Sequence, residues 1–74
     1  MNLKKLEGLI EEKAISKTAI AEKLAISRPS LYMKLAGDVK FTNDECCSLA
    51  LILGMTEREI IDTFFIDYVR KYAN

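Results

Sequence analysis

Residues 15–37 read ISKTAIAEKLAISRPSLYMKLAG. An apolar residue, a serine and a second apolar residue four positions after the serine occur twice in this segment, as Ile15-Ser16…Ile20 and as Ile26-Ser27…Leu31. This spacing is typical of a helix start, where the serine hydroxyl accepts a first-turn N–H and the two apolar side chains pack on each other. It predicts helices over residues 17–24 and 28–36.

The link between these two helices is the tripeptide Ala25-Ile26-Ser27, which is too short to allow antiparallel packing. The helices must therefore cross steeply, with the small Ala21 where they approach each other. Two short helices that meet in this way are typical of a helix-turn-helix unit, whose second helix can enter the major groove of DNA.

Two further helix starts use the same spacing with threonine, as Phe41-Thr42…Cys46 and as Met55-Thr56…Ile60. Glu45 and Glu59 complete capping boxes at these starts. Apolar residues at positions 3, 6, 9 and 10 predict a first amphipathic helix, and Gly37 and Gly54 are suited to helix ends. No segment alternates apolar and polar residues with period two, so no strand is expected. We expect one all-α domain over residues 1–74, with five helices at about 2–13, 17–24, 28–36, 43–53 and 57–72.

Composition restricts the chemistry available to these 74 residues. The chain has no His or Trp, and its two cysteines are the neighbours Cys46 and Cys47. Sites that use His as a metal ligand, His-dependent catalytic triads and a two-bridge disulfide framework are thereby excluded. We expect no catalytic residue, no metal and no cofactor, and we interpret the cysteines as thiols, with a redox switch as the alternative.

The chain start carries acidic residues too early for a signal peptide, and the longest apolar run, residues 49–53, is far shorter than a membrane span. A cytoplasmic protein without a membrane partner is the expectation. Eleven basic and eleven acidic residues cancel, but residues 1–40 hold eight basic and five acidic side chains, whereas residues 41–74 hold three and six. A polyanionic partner is therefore expected to meet the first half of the chain.

Residues 15–37, together with LALILGMT at residues 49–56, resemble the phage repressor and Cro-like helix-turn-helix family and the related bacterial regulators of the xenobiotic-response-element type. The resemblance implies a compact five-helix, lambda-repressor-like DNA-binding domain with the helix-turn-helix at its second and third helices. Ala25 stands where the family usually has glycine, so a positive φ there would cost roughly 1 kcal/mol. Lys34 stands where the family often has a large apolar residue, which we interpret as a small rotation of the packed stripe.

The third helix supplies the predicted base contacts. With Leu31 and Leu35 buried, a step of about 100° per residue turns the remaining side chains outward. Arg28, at the exposed helix start, can bond bidentately to guanine, and the alternative for it is a solvated surface arginine. The helix has no Asn or Gln to bond adenine, so water and DNA shape would carry more of the specificity, or the face would serve another partner. The predicted base-contacting residues are Arg28, Pro29, Ser30, Tyr32 and Met33.

Phosphate contacts are predicted around the starts of the second, third and fourth helices, where amide dipoles and lysine charge combine. The predicted residues are Ser16, Lys17, Thr18, Ser27, Lys34, Lys40, Thr42 and Asn43. Each lysine alone is adequately explained as a solvated side chain, so the prediction depends on the cluster.

The last helix has more apolar surface than one small core requires. Its excess, at Phe65, Ile66, Val69 and Tyr72, predicts a homodimer surface, with a thick core stripe as the alternative. Together these features predict a dimeric, sequence-specific DNA-binding transcriptional regulator, of phage or prophage repressor or Cro-like type, that binds double-stranded DNA. The alternative is an antirepressor-like interaction module that binds another phage regulator, favoured by the zero net charge and the exposed Tyr32 and Met33.

Overall fold

Helix caps determine where the chain becomes helical. The structure is a computed structural model that describes residues 1–72, and these form six helices: α1 Leu3–Glu12, α2 Lys17–Leu24, α3 Arg28–Ala36, α4 Asn43–Ile52, α5 Glu57–Phe64 and α6 Ile66–Tyr72. Ser16, Ser27, Thr42 and Thr56 each accept a hydrogen bond from the amide three residues later. The four caps predicted from the sequence are thus confirmed, and both capping boxes form.

Each of the helices α1 to α4 is followed by a left-handed residue: Ala14 after α1 has φ of 55°, and the other three close turns of one kind. Gly37 and Gly54 have φ of 89° and 58°, and Ala25 has φ of 57°. In each case the following amide returns to the carbonyl five residues before it, as Ile26 N–H does to the Ala21 carbonyl at 3.0 Å. Ala25 therefore keeps the turn conformation of a glycine, at a cost of about 1 kcal/mol that the closed turn offsets.

The core lies where α1, α2, α3 and α4 meet, because the amphipathic faces of these helices can be buried only against one another. Helix α2 packs against α3 and α4, while α1 packs against α3 and α5. The described residues are compact, all-helical and contain no strand. The buried hydrophobic cluster consists of Leu6, Ile10, Ile20, Ala21, Leu31, Leu35, Phe41, Leu49 and Leu53.

The single helix predicted over residues 57–72 is wrong, because the chain breaks at Phe65 into α5 and α6. The Thr63 carbonyl, which would accept from the Asp67 N–H in a continuous helix, instead accepts from the Asn2 N–H at 2.7 Å. The Met1 ammonium also pairs with the Asp67 carboxylate. The chain start thereby competes for the carbonyl that a continuous helix would need, and the helix count becomes six instead of five.

Residues 1–72 lack two features, a membrane-spanning helix and a cluster of metal-ligating side chains. None of the helices has the length and apolar character that crossing a bilayer requires. No three His, Cys, Asp or Glu side chains in this part of the chain are grouped so that they could hold a metal ion. Cys46 is half-buried, Cys47 is exposed, and both are free thiols; burial, followed by the Cys47 and Glu45 charges, raises the pKa of the Cys46 thiol.

Candidate nucleic-acid interface

Helix α3 has one buried and one exposed side. Leu31 is fully buried and Leu35 nearly so. On the other side, Tyr32 and Met33 are 52% and 45% exposed. Arg28 and Pro29 at the helix start are also exposed, and Ser30 is half-buried. The five residues predicted to contact bases are therefore brought together on the first two turns of α3, and four of them are open to solvent.

The starts of α2 and α3 are joined through side chains. The Arg28 guanidinium lies 3.5 Å from the Thr18 hydroxyl oxygen, a long and weak hydrogen bond that leaves most of the five N–H donors unused. Arg28 has no ion-pair partner among residues 1–72. Its guanidinium is thus oriented by α2 and remains free to bind an acceptor outside the protein.

Lys17, the first residue of α2, lies between two other helices. Its ammonium nitrogen is 3.2 Å from a Glu7 carboxylate oxygen on α1 and 5.2 Å from the centre of the Tyr32 ring on α3. Both interactions favour a cation at this position. Lys17 is consequently near the predicted base-contacting surface, but part of its charge is already neutralised.

Lys34, which is predicted from the sequence to contact phosphate, is buried in the structure. Lys34 is only 8% exposed, and its ammonium donates to both oxygens of Glu45, at 2.6 and 2.8 Å. It also lies 5.9 Å from the centre of the Phe41 ring. Because α3 directs this side chain toward α4, Lys34 is a structural ion-pair partner, and little of its surface is exposed to bind DNA.

Glu45 connects this ion pair to the cap of α4. One of its oxygens also accepts the Thr42 backbone N–H at 2.8 Å, so the same carboxylate closes the capping box and neutralises Lys34. Burial by itself would raise the pKa of Glu45, but the hydrogen bonds from Lys34 and Thr42 and the Lys34 charge outweigh it and lower that pKa. The carboxylate is therefore held ionised at neutral pH.

Sequence reasoning missed this ion pair, although one feature pointed toward it. A lysine at an interior position of the α3 stripe requires an acidic partner, since an unpaired buried ammonium is strongly disfavoured. Glu45 is the capping-box residue of the next helix and therefore has a known orientation. Those two facts make Glu45 a candidate partner of Lys34, and the arrangement of α3 and α4 decides the contact.

The remaining predicted phosphate-contacting residues are polar, and all of them except the half-buried Lys17 are exposed. The Ser16, Ser27 and Thr42 hydroxyl oxygens accept their cap amides, and each hydroxyl can still donate its own hydrogen to a phosphate. Lys40 and Asn43 flank the start of α4, and Lys40 has no ion-pair partner among the described residues. Apart from Lys34, the predicted set is therefore accessible.

The predicted dimer surface is divided between two sides of the α5–α6 region. Phe65 and Tyr72 are exposed, whereas Ile66 and Val69 are half-buried. Two exposed residues that the prediction missed, Ile61 and Tyr68, extend the outer side. Tyr68 and Tyr72 lie one turn apart on α6, with ring centres 4.7 Å apart, whereas Ile61 lies on α5 and Phe65 lies at the break between the two helices. The outer apolar stripe consists of Ile61, Phe65, Tyr68 and Tyr72.

Comparison of the chain with protein families, with curated proteins and with solved structures finds no match. The function must therefore be inferred from its own geometry. The features that bear on it are the exposed side of α3, the hydroxyls at the starts of α2, α3 and α4, and the outer apolar stripe.

Proposed function

We propose that this protein is a sequence-specific DNA-binding transcriptional regulator of the phage repressor or Cro-like type. In this proposal α2 and α3 form a helix-turn-helix unit within a lambda-repressor-like domain, and α3 enters the major groove. One observation carries the proposal: Arg28 stands unpaired at the exposed start of α3, directly after the Ser27 cap. Recognition helices of this class present base-contacting residues at that end.

Within the groove, each exposed α3 residue has a role that its chemistry permits. Arg28 donates two hydrogen bonds to guanine O6 and N7, a contact worth about 1–3 kcal/mol of discrimination. Met33 packs against a thymine methyl group, and Ser30 and Tyr32 donate hydroxyl hydrogens to bases or phosphates. Pro29 occupies the first turn, where its missing N–H is not needed, and it stiffens the helix entry.

Phosphates on the two sides of the groove are bound by two groups of residues. One group surrounds the starts of α2 and α3, and the other lies before and within the first turn of α4. Helix N-termini and lysine side chains both favour phosphate. The first group comprises Ser16, Lys17, Thr18 and Ser27, and the second comprises Lys40, Thr42 and Asn43.

The outer apolar stripe supports the further proposal that the protein binds DNA as a homodimer. Four large apolar or aromatic side chains exposed along the α5–α6 region of a small domain are typical of an interaction surface. A symmetric dimer would place two α3 helices on half-sites about 34 Å apart. By occupying such a site, the dimer would exclude polymerase from an overlapping promoter and act as a repressor.

A salt titration tests the proposal. Binding to random duplex DNA and to phage-operator DNA is measured by fluorescence anisotropy across a range of salt concentrations. We expect log K to fall linearly with log salt, with a slope of about −0.9 for each neutralised phosphate and therefore of several units in total. Arg28→Ala should abolish the difference between the two DNAs, whereas the charge-matched control Arg58→Ala on α5 should preserve it. Binding that is weak and independent of salt would reject a DNA-binding function.

One observation favours a second function, that of an antirepressor-like module that binds another regulator. Tyr32 and Met33 are exposed on α3, while Lys17 and Lys34 are already paired with carboxylates. Exposed Tyr and Met together with few free charges are typical of protein-binding surfaces. Salt-independent behaviour toward DNA, together with saturable binding of a helix-turn-helix regulator, would establish this second function.

A further inference from the structure

The ion pair between Glu7 and Lys17 lies beside the proposed DNA surface and has no role in the core. It joins the middle of α1 to the first residue of α2, with nitrogen and oxygen 3.2 Å apart. The Lys17 and Glu7 side chains are 30% and 43% exposed. The pair is partly exposed, and a pair of this kind contributes little to stability.

Glu7 is incompletely satisfied in this arrangement. One carboxylate oxygen accepts from Lys17, while the other is buried and has no hydrogen-bond partner among the described residues. A buried acceptor without a partner is unfavourable. The position therefore carries a negative charge that the fold does not need and does not fully accommodate.

The same lysine is also adjacent to α3. The Lys17 ammonium lies 5.2 Å from the centre of the Tyr32 ring, and Ser16 immediately before it caps α2. A phosphate bound at the start of α2 would meet the Ser16 hydroxyl and first-turn amides and would be attracted by Lys17. It would also be repelled by Glu7, which already holds that lysine.

We propose that Glu7 is a competing anion that attenuates DNA binding by occupying Lys17. This inference rests on the proposed function, because it assigns regulation to the same surface. When DNA binds, Lys17 exchanges its Glu7 partner for a phosphate while remaining against the Tyr32 ring. Lys17 is already paired with Glu7 in the free protein. A phosphate contact made by Lys17 therefore releases fewer counterions from the DNA than a phosphate contact made by an unpaired lysine.

The test uses the full chain and random duplex DNA, so no operator sequence is required. Glu7→Gln removes the competing charge in a nearly unchanged shape. Glu11→Gln is the matched control, because it makes the same change of charge one turn later in α1, at an exposed residue without an ion pair in residues 1–72. Affinity is measured across salt concentrations for both variants and for the wild-type protein.

We expect Glu7→Gln to bind roughly five- to tenfold more tightly at low salt and to steepen the slope of log K against log salt by up to about 0.9, the contribution of one phosphate. Glu11→Gln should change affinity less than twofold. In the double variant with Lys17→Gln, the gain should disappear, since the two residues act through each other. The midpoint temperature of thermal unfolding of Glu7→Gln should lie within a few degrees of the wild-type value, because a partly exposed ion pair contributes little to stability.

Three outcomes would count against these ideas in distinguishable ways. Equal gains from Glu7→Gln and Glu11→Gln would overturn the inference and leave DNA binding intact, because a general charge effect would then explain both. A gain that persists without Lys17 would also overturn it. If the wild type and every variant lacked salt-dependent binding, the proposed function itself would fail.

Discussion

Lys17 and Lys34 make similar ion pairs in two different settings, one at the junction of α1 and α2 and the other at the junction of α3 and α4. The Lys17–Glu7 pair is about a third exposed and is held by one contact of 3.2 Å. The Lys34–Glu45 pair is nearly buried, and both carboxylate oxygens accept from the lysine. Burial therefore distinguishes the two lysines: Lys34 is fixed within the fold, whereas Lys17 remains partly accessible to solvent.

The largest expected effect is on stability at the α3–α4 junction. Lys34→Ala leaves Glu45 largely buried without its cation and should lower the free energy of unfolding by about 3 kcal/mol. Lys34→Met, which retains the length of the side chain beside Phe41, should lose less than Lys34→Ala. Urea unfolding followed by circular dichroism measures both. A loss below 1 kcal/mol for Lys34→Ala would mean that the two junctions do not differ as described.

The second prediction concerns acid. Because the pKa of Glu45 is lowered in the folded protein, its carboxylate stabilises the fold above the ordinary carboxyl pKa of about 4.3, and this contribution is lost as pH falls through the folded pKa. The Thr56 amide lowers the pKa of Glu59, and the Met1 ammonium lowers that of Asp67, so other groups act in the same direction. Glu45→Gln should therefore reduce, without abolishing, the fall in unfolding free energy between pH 6 and pH 3. If the decrease in unfolding free energy were the same in Glu45→Gln as in the wild type, Glu45 would not contribute to the acid sensitivity of the fold.

A third, smaller effect on stability is expected at the turn between α2 and α3, which lies between the two junctions in the chain. Ala25 has φ of 57°, so Ala25→Gly should stabilise the fold by roughly 0.5–1 kcal/mol, because glycine adopts this conformation without the steric penalty. Gly37→Ala is the opposite control: φ is 89° there, and an added Cβ would lie 3.3 Å from a Leu3 methyl carbon. Thermal unfolding of both variants measures the contrast. Destabilisation by Ala25→Gly would show that entropy lost from the unfolded chain outweighs the strain.

The smallest effect on stability is expected from Lys17→Ala. Because the pair with Glu7 is exposed, its loss should change the free energy of unfolding by less than about 1 kcal/mol. The same variant should weaken binding to all DNA sequences similarly, as loss of a phosphate contact does. A stability loss as large as that of Lys34→Ala would place both lysines in the fold and would remove the proposed difference between them.

Local chemistry was predictable because its partners lie close together in the chain. Ser16, Ser27, Thr42 and Thr56 bind amides three residues away, so their spacing was enough to locate four helix starts. The outward side of α3 likewise follows from the helical repeat and from the apolar Leu31 and Leu35. The contact partners of Lys34 and Lys17 lie eleven and ten residues away on other helices, and no local period relates them.

The amino-acid sequence by itself determined the caps, the positions of the first four helices and the apolar stripes, since all of these depend on interactions within one or two turns. Only the tertiary structure decided that α5 and α6 are separate, because the Asn2 N–H that takes the Thr63 carbonyl lies 61 residues away in the chain. Tertiary packing also decided which lysine is buried and which remains exposed. The energy of a charged side chain depends on how much water surrounds it, and the amount of water is set by how the neighbouring helices pack around that side chain.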